Sequence, residues 1–130
     1  MQPPLPPGTG KYPHGKTGLS RILHTVIYSR DGFMATVRSE AAFRQLLVLN
    51  GVLMAVTFAL DLSPAERAVM LAVSFISLLV ELLNSAIEAV VDRISLERHP
   101  LSKNAKDMGS AAQSVALLMV AAVWAVVLLA

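Results

Sequence analysis

Glu81-Leu-Leu-Asn-Ser-Ala-Ile-Glu-Ala-Val-Val-Asp92 closes a long apolar segment, following Ala68-Val-Met-Leu-Ala-Val-Ser-Phe-Ile-Ser-Leu-Leu-Val80, a run with no charged residue. Such a run predicts a helix in a bilayer. There an ionisable side chain costs on the order of several kcal/mol and is seldom kept without a task. At ~100° per residue, Glu81, Asn84, Ser85, Glu88 and Asp92 fall on one face of that helix. The result is a polar stripe of three carboxylates and an amide, directed away from lipid. A solvated face would need a polar face in the preceding run to continue, and none is there. Hydrogen-bonding glue between helices explains one polar residue better than three carboxylates. The stripe therefore points to catalysis or ion handling at a membrane surface.

The rest of the chain agrees with a membrane setting. Of 130 residues, 55% are hydrophobic and 15% charged, whereas soluble domains carry about a quarter charged. Three segments reach the ~20 residues needed to cross the hydrocarbon layer: about 41–60, 66–91 and 110–130. Ser63 and Pro64 supply a cap and a first-turn proline for the second, and Pro100 rules against one unbroken helix through the polar link that follows it. Lys11, Lys16, Arg21, Arg30, Arg38 and Arg44 precede or begin the first span, and Arg67 alone lies near the first link. Arg93, Arg98, Lys103 and Lys106 lie in the second link, and no base follows the third span. The positive-inside bias places the N-terminus and the second link in the cytoplasm. With no cysteine, disulfides, thiol nucleophiles and cysteine zinc sites are excluded.

Ahead of the spans, Leu19, Ile22, Leu23, Val26 and Ile27 recur at helical spacing opposite Ser20, Arg21, His24, Thr25, Tyr28 and Ser29. This predicts an amphipathic helix over about 18–32, ending near Gly32 and lying in the membrane interface. Residues 1–16 form a Pro/Gly-rich tail, expected to be disordered and to lack a cleaved leader; residues 17–130 form the membrane domain. Gly10-Lys-Tyr-Pro-His-Gly-Lys-Thr17 matches the P-loop letters, but that loop needs a preceding strand and a following helix to aim its N–H groups at phosphates. A proline-rich tail supplies neither, and Pro13 removes a donor.

Depth separates the carboxylates. Glu81 lies ~20 Å inward from Ala68 along the helix, near the inner edge of the hydrocarbon layer, and Glu88 a further ~10 Å on. A desolvated Glu81 suits a general base acting on a lipid hydroxyl. A wetter Glu88 suits a hard cation. Glu40, at the start of the first span, stands level with Glu88, and Mg²⁺ commonly takes one or two carboxylates plus phosphate oxygens. Alternatively, Glu40 pairs with Arg44 at i, i+4; the letters leave both readings open. Arg98, His99, Lys103 and Lys106 bring positive charge to the same side, where phosphoryl transfer is mostly positioning and neutralisation. Ser102 is a candidate helix cap, and His99 alone reads as a polar loop residue.

Glu40-Ala-Ala-Phe-Arg-Gln45, Glu81 to Arg93 and Ala105-Lys-Asp-Met-Gly-Ser-Ala-Ala112 together resemble the prokaryotic diacylglycerol kinase family, over about Thr17 to Ala130. The resemblance implies an all-α integral membrane protein, a homotrimer with three transmembrane helices and an N-terminal amphipathic surface helix per subunit. It implies transfer of the γ-phosphate of Mg-ATP to the hydroxyl of diacylglycerol, giving phosphatidate, in a bacterial inner membrane. By motif position, Glu81 and Asn84 correspond to catalytic residues and Glu40 and Glu88 to Mg²⁺ ligands. Arg21, Tyr28, Glu40, Glu88, Glu97, His99, Lys106 and Asp107 fall where the family contacts nucleotide. Ala42, Phe43, Arg44, Glu81 and Ser110 fall where it contacts lipid.

The chain departs from the family pattern in its tail, in Leu46 where an acidic residue tends to follow Phe-Arg-Gln, and in Arg30 where a Trp is often found. Gram-positive-type members phosphorylate undecaprenol; Ala-Ala-Phe-Arg-Gln and Asp-Met-Gly-Ser-Ala-Ala favour the diacylglycerol branch. The remaining competitor is a small ion-coupled transporter or membrane scaffold. No nucleic-acid partner is expected.

Overall fold

A computed structural model describes residues 18–130; the proline-rich tail and the P-loop-like stretch lie outside the described residues. Among these, four α-helices and no strand are found: α1 (Leu19–Ser39), α2 (Ala41–Ala59), α3 (Pro64–Ile94) and α4 (Pro100–Leu129). The chain divides into a unit ending at Gly32 and a unit from Phe33 to Ala130.

In the first unit, Gly18 takes a positive φ of 72°, a conformation glycine reaches without a Cβ penalty, and its carbonyl accepts from Arg21 N at 3.1 Å to open α1. The expected apolar face is present and exposed: Leu19, Ile22, Leu23 and Val26 are each at least 60% accessible. The helix does not stop at Gly32 but runs on to Ser39. One glycine inside a helix costs ~1 kcal/mol, which does not break it when the flanking residues are helical.

In the second unit, α2, α3 and α4 are long and apolar enough to cross a membrane, with α3 packed against both others. The link 60–63 makes α2 and α3 antiparallel neighbours, and the link 95–99 does the same for α3 and α4. Ser63 and Glu66 form the full reciprocal capping box at the start of α3, with Pro64 in its first turn. Pro100 likewise begins α4, so this helix starts about ten residues earlier than the hydropathy of its span suggests. Its cap is His99, whose Nδ1 accepts from Leu101 N at 3.1 Å, and not Ser102. With 31 residues against the 19 of α2, α3 is longer by about 18 Å at 1.5 Å per residue. Together with α4 it lifts its last turns beyond the span of α2.

The interior is unlike that of a soluble bundle. Phe43, Met70, Val73, Ala116 and Val120 are buried, but so are Asn50, Thr57, Ser74, Ser77, Glu81 and Gln113, while Val48, Phe58, Phe75, Leu79 and Leu118 lie exposed. Polar groups inside and apolar groups outside are what hydrocarbon surroundings require.

Two arginines close helix ends. Arg67 Nε donates to Thr57 O at 2.9 Å and its Nη2 to Leu60 O at 3.2 Å, with the guanidinium 5.6 Å from the Phe58 ring. Arg44 Nη1 donates to Val37 O at 2.9 Å and Arg38 O at 3.2 Å, satisfying last-turn carbonyls of α1.

Candidate active site

Three helices present polar side chains to one groove of about 600 Å³. From α2 and its cap come Glu40, Ala42, Gln45, Leu46 and Leu49; from α3, Glu81, Asn84, Ser85 and Glu88; from α4, Ser110, Gln113, Ser114 and Leu117. Within each helix these residues follow 3- and 4-residue steps, so each helix offers one continuous face. The carboxylates gather at the end where α2 begins and α3 finishes. Leu46, Leu49 and Leu117 line the opposite, apolar end. An amphipathic alcohol fits that gradient, with its chains on the leucines and its hydroxyl among the carboxylates.

Glu81 is 6% exposed, held between packed helices yet opening on the groove. Asn84 is half-buried, and its Nδ2 donates to Glu88 Oε1 at 3.5 Å, tying the amide to the neighbouring carboxylate. Asn84 Oδ1 is buried without a hydrogen-bond donor and lies against Gly109 of α4 so closely that a Cβ there would meet it at 1.9 Å. Glycine at 109 is thus what admits the Asn84 side chain. Glu40 caps α2 in an extended conformation, φ −108° and ψ 109°, without spending its side chain on the cap. Of its two readings from sequence, pairing with Arg44 is not the one adopted: Arg44 turns to the carbonyls of α1, and Glu40 faces the groove.

Among the described residues no three His, Asp or Glu side chains gather as a ready-made metal cluster. Mg²⁺ does not demand one, since it binds through one or two carboxylates with phosphate oxygens and water completing its shell. Glu40 and Glu88, two oxygen donors on one groove, fit that ion's chemistry.

A second hollow, of about 910 Å³, surrounds the α3–α4 link and is lined by Asp92, Glu97, Arg98, His99, Lys103, Lys106 and Asp107 among others. Lys106 Nζ donates to Asp92 Oδ1 at 2.6 Å, and Lys103 pairs with Asp107. Asp92 lies one turn beyond Glu88 on α3, so this hollow, lined by charges of both signs, and the carboxylate groove adjoin along one helix, ~6 Å apart.

The expected site residues thus separate into groups. Glu40, Ala42, Glu81, Asn84, Glu88 and Ser110 share the groove; Glu97, His99, Lys106 and Asp107 share the link hollow. Phe43 lines neither: it is fully buried, edge-on to Phe33 with ring centroids 5.3 Å apart. Arg44 lines neither. Arg21 and Tyr28 belong to α1 in the first unit. Sequence reasoning took Gly109 only as one of the small residues of Gly109-Ser-Ala-Ala112 that allow close helix packing, without its Asn84 partner, and passed over Gln113, although the i+7 spacing from Lys106 places it on the same face of α4. It also passed over Ser77, one turn before Glu81.

Comparison with known proteins accords with this geometry. Residues 27–128 match the family model described as prokaryotic diacylglycerol kinase. The chain is similar to the diacylglycerol kinase of Pseudomonas aeruginosa, 65% identical over 115 residues, covering 88% of this chain and 94% of that one. It is 46% identical over 114 residues to the diacylglycerol kinase of Escherichia coli K12, covering 86% and 92%. The Helicobacter pylori J99 diacylglycerol kinase is 36% identical over 114 residues, covering 88% and 89%.

Proposed function

The chain belongs to the prokaryotic diacylglycerol kinase family, and from that premise we propose that it transfers the γ-phosphoryl group of ATP to the hydroxyl of diacylglycerol. The single observation that carries this reading is the groove itself. Carboxylates from α2 and α3 meet at one end, apolar side chains line the other, and a charged hollow carrying Arg98, His99, Lys103 and Lys106 adjoins.

In the proposed reaction the lipid's acyl chains lie along Leu46, Leu49 and Leu117, bringing its hydroxyl to Glu81. The Glu81 carboxylate takes the hydroxyl proton as the alcohol oxygen attacks the γ-phosphorus. A new P–O bond forms to the lipid, the bond from the γ-phosphorus to its bridging oxygen breaks, and ADP departs. Asn84, anchored on Glu88, orients the reacting groups. Glu40 and Glu88 would hold Mg²⁺, which supplies neutralisation of the phosphate oxygens when bound. Lys106, His99, Glu97 and Asp107 would receive the nucleotide in the link hollow; Arg21 and Tyr28 of α1 are proposed as nucleotide contacts from the family resemblance alone. Ala42, Phe43, Arg44 and Ser110 form the lipid side, Phe43 and Arg44 by fixing the start of α2.

The charge asymmetry along the sequence supports a multi-pass inner-membrane topology with the N-terminus and the α3–α4 link cytoplasmic, where ATP is found. The exposed apolar face of α1 supports a surface helix in the interface. The apolar outer faces of α2, α3 and α4 would meet lipid and neighbouring copies in a homotrimer.

The test is the full chain in mixed micelles with labelled ATP and either diacylglycerol or undecaprenol. Labelled phosphatidate that disappears on chelation of divalent cations is the expected result. Label on undecaprenol alone would reassign the acceptor. No labelled lipid together with ion flux in sealed vesicles would replace the kinase reading with transport.

A further inference from the structure

Of the buried polar side chains that the reaction just described does not use, three form one cluster. Asn50 of α2, Ser77 of α3 and Gln113 of α4 meet in the interior: Asn50 Nδ2 donates to Leu46 O at 2.9 Å and to Ser77 Oγ at 3.4 Å, and Gln113 Nε2 donates to Ser77 Oγ at 3.4 Å. Asn50 and Ser77 are fully buried and bonded to each other across helices, yet Asn50 Oδ1, like Gln113 Oε1, has no partner. Gln113 is different in position. It is 8% exposed and lines the groove with Glu81.

A buried amide with one free end is expensive in an apolar setting unless something completes it. The Ser77 hydroxyl can donate as well as accept. Gln113 can therefore turn its amide by half a turn, keep its bond to Ser77 through Oε1, and offer Nε2–H to the groove. Asn50 cannot make the same exchange, because its amide nitrogen is fixed by Leu46 O. The polarity of the cluster is set at Asn50, which does not line the groove, so the unpartnered end beside a groove ligand is at Gln113.

Position gives the ligand. Ser77 lies one turn before Glu81, so Gln113 sits about one turn, ~5 Å, toward the apolar end of the groove from the carboxylate. A diacylglycerol whose hydroxyl meets Glu81 carries its ester carbonyls a few bonds away in that same direction. We propose that Gln113, held by Ser77 and Asn50, is a subsite for an ester carbonyl of the lipid, selecting an acylated glycerol over a lipid alcohol without esters. This rests on the kinase reading above.

The test compares diacylglycerol with the dialkyl ether of matched chain length in mixed micelles, using the full chain. One neutral hydrogen bond predicts a diester-to-diether ratio of kcat/KM of about two to ten in the wild type. In Gln113→Leu the ratio is expected to fall to about one, and in Ser77→Ala to fall part of the way, with the KM for ATP unmoved in both. A wild type that phosphorylates both lipids without preference overturns the subsite and leaves the kinase reading standing. So does a Gln113→Leu variant that keeps the ratio. If Gln113→Leu loses turnover altogether, Gln113→Met, closer in shape, is measured, and loss there too shows a structural role and overturns the subsite. A wild type that labels neither lipid sinks the kinase reading and the subsite with it.

Discussion

Gly109 carries a sharp consequence. In Gly109→Ala the new methyl would lie 1.9 Å from Asn84 Oδ1 and 3.0 Å from its Cγ, with Asn84 Cβ at 3.8 Å. A carbon–oxygen contact needs roughly 3.3–3.6 Å, so the amide must withdraw by about 1.5 Å. Only the end of one side chain obstructs the methyl, and a strained or altered rotamer costs ~0.5–1.5 kcal/mol; the fold should survive. Catalysis should not, since the Asn84 Nδ2 bond to Glu88, already 3.5 Å, is broken by that withdrawal. Misplacing a catalytic group by ~1 Å can cost ~10²-fold, and a kcat loss of that order is expected. The assay is a double-mutant cycle on kcat with saturating ATP and lipid. In an Asn84→Ala background the obstructing atoms are gone, so adding Gly109→Ala should cost almost nothing more. Full activity in Gly109→Ala, or the same further loss in both backgrounds, would refute the claim that position 109 acts through Asn84.

Elsewhere the expected outcomes separate stability from chemistry. Ser63→Ala removes the cap that accepts from Glu66 N at 3.3 Å and should cost about 1 kcal/mol. It lowers the thermal midpoint in detergent and leaves turnover below that midpoint unchanged. Arg67→Met strips the donors from Thr57 O and Leu60 O; a loss of about 2 kcal/mol is expected, seen as faster proteolysis at the 60–63 link. Lys106→Met breaks an exposed pair with Asp92 worth at most ~1 kcal/mol to stability. The same change should raise the KM for ATP by at least about tenfold if this ammonium meets phosphate, while the lipid KM stays put.

What could be read from the letters was whatever depends on a single helix. The stripe Glu81, Asn84, Ser85 and Glu88 follows from helical period alone, and Ser63 with Pro64 announces a helix start through chemistry confined to one turn. Pro100 signalled a break, but where α4 resumes depends on His99 capping it, and the polar first turns hid this. Gly32 looked like a helix end because glycine is a weak helix former, yet the residues beyond it carry the helix on. Whether Glu40 pairs with Arg44 was undecidable locally, because the carbonyls that claim Arg44 belong to the end of another helix. The Asn84–Gly109 approach and the Asn50–Ser77–Gln113 cluster need the register between helices. A single polar or small residue in an apolar run gives no hint of what lies across from it.

Glu81→Gln is nearly the same shape as the wild type, so it keeps the groove while removing the group that takes the lipid proton. Turnover of diacylglycerol and equilibrium ATP binding would be measured on one preparation. Turnover should fall by about 10²-fold or more while ATP affinity is largely unchanged. Turnover close to wild type would mean that the carboxylate at position 81 is not the base.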